Sequence, residues 1–288
     1  MNRKSLLRVF ILGLYTLLLF QVSTTLSISL FEYHIYSGET SSLLFHPLHF
    51  FTTLFGQNDM AIRTLMILIH LATIYLYYQI SKPYFSKEKD RHLNVFIFIL
   101  LPGVVSSALI VHATGLVFLS LLFFLWIYQK SEKIAWLLLP LYFFLDPAFF
   151  ILFLALFLQS LRQKRYYFAL IAFLFMITSF YFFGFKTQLT PENFFLNTFA
   201  VLSIVFSPIL FFYFIYALFR IGVKGKPDFI WMVSLSAMVV ALGLSFRQKI
   251  PIEQFAPFIV VLLPLMLKQF LHTLRLRIKK LRKVHLSM

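Results

Sequence analysis

The sequence contains no cysteine, and acidic residues are scarce, with 10 aspartates and glutamates among 288 residues. Without cysteine no disulfide can form, so the fold does not depend on the redox state of its compartment. The sequence also lacks a phosphate-binding P-loop, a dinucleotide fingerprint, zinc-binding spacings and a nucleophile elbow. The enzyme classes that are recognised by those motifs therefore have no support here.

Apolar residues dominate what is present. They make up 60% of the chain, charged residues make up 12%, and the mean hydropathy is +0.86, which is typical of a helical membrane protein. A helix of about 20 apolar residues crosses the hydrocarbon core. We predict an all-α polytopic membrane protein that forms one integral membrane domain over residues 1–288. Ten membrane helices are predicted, at 6–30, 61–80, 93–111, 113–129, 134–145, 148–161, 166–185, 196–219, 229–246 and 254–271.

One apolar stretch, 134–161, could instead be a single long helix, but Asp146-Pro147 interrupts it. Proline disrupts a helix interior, and an aspartate at the bilayer centre costs about 2.5–3.5 kcal/mol on insertion scales. We therefore predict a pair of short helices, spanning or re-entrant, that meet near the outer face.

The basic residues lie in short clusters between apolar runs. This distribution of the +16 net charge is typical of cytoplasmic loops and argues against a nucleic-acid interface. Four of the 26 lysines and arginines fall in the predicted outer segments, namely Arg63, Lys186, Arg247 and Lys249. Both termini are thus predicted to be cytoplasmic, with a first extracytoplasmic loop at 31–60 and a basic cytoplasmic tail at 272–288. The first helix is interpreted as a retained anchor.

The 31–60 loop gathers ionisable side chains in a chain that otherwise has few. Together with Arg63 at its end, it holds Glu32, His34, Glu39, His46, His49 and Asp59. Because proton transfer and phosphate binding need ionisable groups, this loop is the candidate active-site loop. His46 and His49 are three residues apart, but no carboxylate stands at a matching spacing, so no metal site is predicted and a need for a divalent metal is left open.

Three segments carry a family resemblance. His46-Pro47-Leu48, Leu54-Phe55-Gly56 and Ala61-Ile62-Arg63 follow one another around the second span, LLLPLYFFLDPAFFILFLALFL lies in the middle, and FRQKIPIEQFAPFIVVLLPLML lies near the end. In this order they resemble GT-C glycosyltransferases, in particular the protein mannosyltransferase and lipid A aminoarabinose transferase groups. Besides a short first outer loop, the chain departs from the family's motifs in two places. One proline of the HPPL pattern is missing, and Glu32-Tyr33 stands where the family has an acidic pair.

The resemblance implies a GT-C-like membrane glycosyltransferase of the bacterial inner membrane. Such enzymes move a sugar from a polyprenyl-phosphate-linked donor to a glycan, lipid or protein acceptor on the outer face. Its implied partners are the bilayer and the polyprenyl-phosphate lipid, with no cofactor assigned. Glu32 would be the catalytic base. The donor phosphate would be bound by Arg63, Arg247 and Lys249. Acceptor and site-shaping roles would fall to Tyr33, His34, His46, Asp146 and Glu253. We expect Glu32→Gln to abolish transfer.

Each of these residues also has a plainer interpretation. Glu32 could be a solvated residue at a helix end, Arg247 and Lys249 could be interfacial anchors, and Asp146 could cap a helix. His70 and His112 are interpreted as hydrogen-bonded packing residues. A transporter or lipid flippase, with broken helices at Pro102-Gly103 and Asp146-Pro147 around its binding site, is the alternative function, and a non-catalytic subunit of a glycan-assembly complex is another.

Overall fold

The computed structural model describes residues 3–39, 43–56, 58–183, 193–225 and 227–276, with the side chains of 3–9, 183 and 276 excepted. Within these ranges all regular structure is helical, as predicted. Two predictions reach beyond them. Lys186 and the basic tail from 277 to 288 lie outside the described residues.

The α-helices are short for a chain of this composition. In chain order they are α1 (Arg3–Thr25), α2 (Leu30–Tyr36), α3 (Phe45–Phe55), α4 (Asp59–Ser81), α5 (Glu88–Leu100), α6 (Pro102–Leu109), α7 (Ala113–Lys130), α8 (Glu132–Leu137), α9 (Leu139–Leu145), α10 (Phe150–Arg162), α11 (Tyr166–Phe183), α12 (Phe195–Phe206), α13 (Pro208–Lys224), α14 (Phe229–Ser245), α15 (Ile252–Val260) and α16 (Leu263–Leu276). Single 3-10 turns at Lys82–Tyr84 and Pro147–Phe149 follow α4 and precede α10.

By length and apolar composition, two helical stretches in the described ranges can cross a membrane, Asp59–Tyr84 and Ala113–Lys130. The number rises to six if each of four bent helix pairs counts as one span. The chain is therefore a helical protein with segments fit to span a bilayer. The shorter apolar helices Pro147–Arg162, Tyr166–Phe182 and Phe229–Ser245 fall below that length.

Four of the predicted spans bend by more than 40° at a break between two helices. The chain bends by 101° between α1 and α2, by 61° between α5 and α6, by 104° between α12 and α13, and by 43° between α15 and α16. Proline accounts for two of these breaks, since Pro102 and Pro208 each occupy the first position of the following helix and disfavour a helical residue before them.

Side-chain contacts join the helices at two opposite ends of the bundle. At one end, which we call the α2 end, Arg63 at the start of α4 and Val111 before α7 both contact the segment 27–32. At the opposite end, Tyr84 after α4 donates to Asp228 before α14 over 2.5 Å, and Gln129 of α7 donates to the carbonyl of Ile80. Between them lies a core rich in phenylalanine, in which Tyr77 and Phe98 stack with ring centroids 3.8 Å apart.

Candidate functional site

A cavity of ≈ 600 Å³ lies at the α2 end. Its walls come from α2, α3, the start of α7 and the break between α9 and α10. Apolar side chains such as Phe31 and Leu116 cover most of its surface, while His46, His112 and Asp146 supply its ionisable groups. Few polar groups on an apolar wall are characteristic of small-molecule sites.

His112 is held by the start of α7. As the residue before that helix it has an extended backbone, and its Nδ1 accepts from the backbone N–H of Thr114 over 3.1 Å. The ring also stacks on Phe31, with centroids 5.3 Å apart and planes at 25°. Since Nδ1 accepts a hydrogen bond, the neutral ring carries its proton on Nε2.

Burial lowers the pKa of His112, while the negative charges of Glu253 and Asp146 raise it and only partly offset burial. The neutral form of the ring is therefore favoured. The same charges show that Glu253, at the start of α15, lies within electrostatic reach of this cavity, and α15 packs against α7.

Asp146 occupies the break between α9 and the following 3-10 turn. Its Oδ1 accepts from the backbone N–H of Ala148 over 2.8 Å, so it caps that turn, and it also lines the cavity. Burial raises the pKa of Asp146, although the Ala148 hydrogen bond and His112 act in the other direction. A carboxylate with a raised pKa beside a neutral imidazole can accept a proton from a bound hydroxyl.

Glu32 lies behind the cavity wall and is 4% exposed. Its Oε2 accepts from the backbone N–H and the hydroxyl of Ser29 over 2.8 and 2.9 Å, which completes a capping box at the start of α2. Its Oε1 accepts from the backbone N–H of Val111 over 2.8 Å. Both oxygens are thus occupied, and their contacts favour a bracing role: Glu32 fixes the backbone directly before His112.

Arg63 is the cationic neighbour of Glu32. The two side chains are 3% and 4% exposed, and the Arg63 Nη2 lies 3.7 Å from the Glu32 Oε2. The same Nη2 donates to the carbonyl of Ser27 over 2.9 Å. A guanidinium buried in this way does not face a lipid phosphate, so the contacts favour a role in the brace over the predicted role in donor binding.

The other predicted residues lie at the surface of the α2 end. Tyr33 is 53% exposed, and His34 contacts the carboxylate of Glu39. His46 is exposed beside the cavity. Arg247, Lys249 and Glu253 are exposed in and after the connection from α14 to α15.

Within the described residues, no group of three or more histidines, aspartates, glutamates or cysteines is close enough to hold a metal ion. His49 does not pair with His46. Its Nε2 contacts the carbonyl of Tyr36 at 2.9 Å, and its ring stacks on Tyr36 at 4.7 Å.

Sequence reasoning interpreted His112 as a packing residue and missed its place in the cavity wall. The sequence did carry a signal for a helix start at this position. His112 stands directly between two apolar segments, and Thr114, whose backbone N–H it accepts from, is the second residue of the following helix. A side chain that can accept from the second backbone N–H of a helix marks a helix start.

The chain matches no family model, no curated protein and no solved structure in comparisons with all three.

Proposed function

We propose that the protein is a GT-C-like membrane glycosyltransferase that transfers a sugar from a polyprenyl-phosphate-linked donor to an envelope glycan, lipid or protein acceptor. One observation carries the proposal: His46, His112 and Asp146 converge on one mainly apolar cavity at the α2 end, with Glu253 within electrostatic reach of it. The proposal includes ten membrane passes, cytoplasmic termini and the bacterial inner membrane as the location.

Asp146 is the proposed base. As the acceptor hydroxyl attacks the anomeric carbon, its proton passes to the Asp146 carboxylate. A bond forms between the acceptor oxygen and the anomeric carbon, and the bond from that carbon to the phosphate oxygen breaks. The electron pair of the broken bond leaves with the polyprenyl phosphate. The raised pKa of Asp146 favours this role, because a stronger base accepts the proton more readily.

The leaving phosphate needs positive charge or hydrogen-bond donors. Arg247 and Lys249 are exposed cations in the connection that leads into α15, and the Nε2–H of a neutral His112 is a further donor. In this proposal the buried Glu32–Arg63 pair positions the backbone of Val111 and His112 and takes no part in proton transfer.

The test is Asp146→Asn. Asparagine keeps a carbonyl oxygen that can accept from Ala148 and cap the turn, but it cannot take up a proton. Asp228→Asn is the matched control, since Asp228 caps α14 at the opposite end by accepting from the backbone N–H of Trp231 over 3.3 Å. Each variant would replace the native gene, and mass spectrometry would measure surface glycans and lipid-linked sugars.

We expect Asp146→Asn to remove a surface sugar and to cause its polyprenyl-phosphate donor to accumulate, while Asp228→Asn behaves as the native protein. Normal glycans in cells with correctly inserted Asp146→Asn would overturn the assignment of the base. Arg247→Ala is expected to weaken use of the donor without removing transfer.

A second candidate, a transporter or lipid flippase, is favoured by the four bent helix pairs, because broken helices line midplane sites in transporters. Detergent separates the two functions. A transferase still joins its donor and acceptor sugars when the protein is in micelles, whereas a flippase has no two leaflets to connect there. Loss of all product on solubilisation, with the fold intact, would favour the transporter. A subunit without chemistry would be inactive alone in both settings.

A further inference from the structure

An apolar groove with a volume of ≈ 670 Å³ runs between α1, α4 and α5, away from the cavity at the α2 end. Aliphatic and aromatic side chains line it, among them Leu12 on α1, Tyr75 on α4 and Phe96 on α5. The side chains of Tyr75 and Phe96 remain 61% and 51% exposed. The groove is thus open along its side and wide enough for a hydrocarbon chain.

Two cationic side chains lie beside one end of this groove. Tyr78 lines it, the Arg91 guanidinium lies 5.4 Å from the centre of the Tyr78 ring, and the Lys82 ammonium lies 5.6 Å from it. The ring of His92 stacks on the Tyr78 ring, with centroids 5.7 Å apart. The His92 Nε2 lies 3.5 Å from the Glu88 carboxylate.

The Arg91 guanidinium still has unused hydrogen-bonding capacity. Its Nη1 donates to the Tyr78 hydroxyl over 3.3 Å, whereas its buried Nε has no hydrogen-bond partner in the described part of the chain. The guanidinium thus lies beside the Tyr78 end of the groove without a carboxylate partner among the contacts of the described residues. A guanidinium is well suited to an anionic phosphate, which it would meet there through its outer N–H groups.

We propose that this groove is a binding site for one anionic phospholipid. One of its acyl chains lies between α1, α4 and α5, and its phosphate sits against Arg91 and Lys82 beside Tyr78. The apolar wall selects a lipid over a soluble phosphate, and the two cations select an anionic headgroup over a zwitterionic one. The site is separate from the proposed transferase cavity, and its test does not depend on that activity.

The experiment is native mass spectrometry of the full chain in detergent, titrated with phosphatidylglycerol or with phosphatidylcholine of the same acyl chains. We expect phosphatidylglycerol to be retained more strongly. Arg91→Gln should weaken its retention about fivefold, because one cation near an anionic lipid is worth about 1 kcal/mol. Arg91→Lys should keep most of it.

Arg220→Gln is the matched control. Arg220 lies 5.7 Å from the centre of the Tyr216 ring and donates to its hydroxyl, as Arg91 does with Tyr78, but Tyr216, unlike Tyr78, does not line this groove. Leu12→Trp, which fills the groove without changing charge, should reduce retention of the lipid, and water-soluble glycerol phosphate should not compete.

Equal retention of the two lipids would overturn the headgroup assignment. An equal loss in Arg220→Gln would show that any surface arginine serves, and unchanged retention in Leu12→Trp would remove the groove from the site. If Arg91→Gln fails to fold, Arg91→Lys and Leu12→Trp still decide the outcome.

Discussion

At the scale of single residues, the Glu32–Arg63 pair is the buried ion pair of the α2 end, and burial determines how much each side chain contributes to stability. Both charges are almost completely buried, so each compensates the other. Removal of one leaves the other buried without a partner, which typically costs about 3–5 kcal/mol of stability. We expect Glu32→Gln to lower the thermal unfolding temperature of the detergent-solubilised protein clearly. The double variant Glu32→Gln/Arg63→Gln should recover part of that loss, because it leaves no unpaired charge.

A surface pair provides the comparison. Arg165 donates to both oxygens of Glu132 over 2.8 and 2.9 Å, but these side chains are 47% and 34% exposed. Such a pair contributes about 0–1 kcal/mol, so Glu132→Gln should hardly change unfolding. If Glu32→Gln is equally harmless, Glu32 does not brace the fold, and its predicted role as the base regains weight.

Asp146 allows a test of pH dependence. Burial raises its pKa above the ordinary 3.8, so the folded state holds the proton more tightly than the unfolded state. The stabilisation is fully present below pH 3.8 and is lost as pH rises through the pKa of the folded protein. At neutral pH the ionised Asp146 therefore costs stability, and Asp146→Asn should raise the unfolding temperature even though it abolishes the proposed transfer.

Fluorescence-detected unfolding of native protein and Asp146→Asn over a pH series measures this effect. The gain should be largest at neutral pH and shrink as pH falls to 3.8 and below, where the unfolded state also binds the proton. A gain that does not change with pH would mean that the substitution acts through packing and not through ionisation.

The sequence could predict some of these residues and not others. His46 was predicted from the family motif and Asp146 from the helix break, and both line the cavity. His112 was not predicted as a site residue, because its place in the cavity depends on Phe31 and Asp146, which are distant from it in the sequence. The contacts of Glu32 with Val111 and of Arg63 with Ser27 join residues 79 and 36 positions apart, and no local pattern encodes such pairings.

At the scale of elements, the end of α10 offers a direct test of helix termination. Lys164 has φ of 59°, its N–H donates to the carbonyl of Leu161, and the N–H of Arg165 donates to the carbonyl of Ser160. These two bonds and the left-handed residue define a Schellman motif, in which glycine is preferred. Lys164→Gly should stabilise the protein by about 1 kcal/mol, because it removes the left-handed strain of a residue with a Cβ.

Gln163→Gly is the neighbouring control. Gln163 has φ of −81°, so glycine there removes no strain and only adds flexibility to the unfolded chain, at a cost of about 0.5–1 kcal/mol. Thermal unfolding in detergent should therefore shift in opposite directions for the two variants. A shift of the same sign would contradict the assigned helix end.

Helix interruptions were predicted unevenly. Asp146-Pro147 was recognised as a break, and the structure has one there. The break before Pro208 was not recognised, although a proline indicates a helix break there as well. The long apolar run on both sides of Pro208 favoured a single span at 196–219. Ser29-Leu30-Phe31-Glu32 also has the spacing of a capping box and marks the start of α2. Length of an apolar run alone does not distinguish one helix from two that are joined at a bend.

At the scale of the whole molecule, composition was sufficient to predict the all-helical class, whereas the number of membrane passes depends on those bends. A 12-residue helix such as α12 is about 18 Å long and does not span a hydrocarbon core of about 30 Å by itself. Charge asymmetry gives the predicted orientation independently of helix length, so sidedness can be tested without first deciding how many passes there are.

The absence of cysteine makes that test direct, since a single introduced cysteine is the sole thiol of the chain and any label on the purified protein marks that position. We expect Thr53→Cys on α3 and Lys249→Cys before α15 to react with a membrane-impermeant maleimide in intact cells. Lys89→Cys on α5 and Lys224→Cys at the end of α13 should react only after permeabilisation. All four side chains are exposed, so differences in labelling report the side of the membrane and not burial. Because Arg247, Lys249 and Glu253 must reach the same compartment as the cavity at the α2 end, labelling of Thr53→Cys and Lys249→Cys from opposite sides would exclude a shared active site.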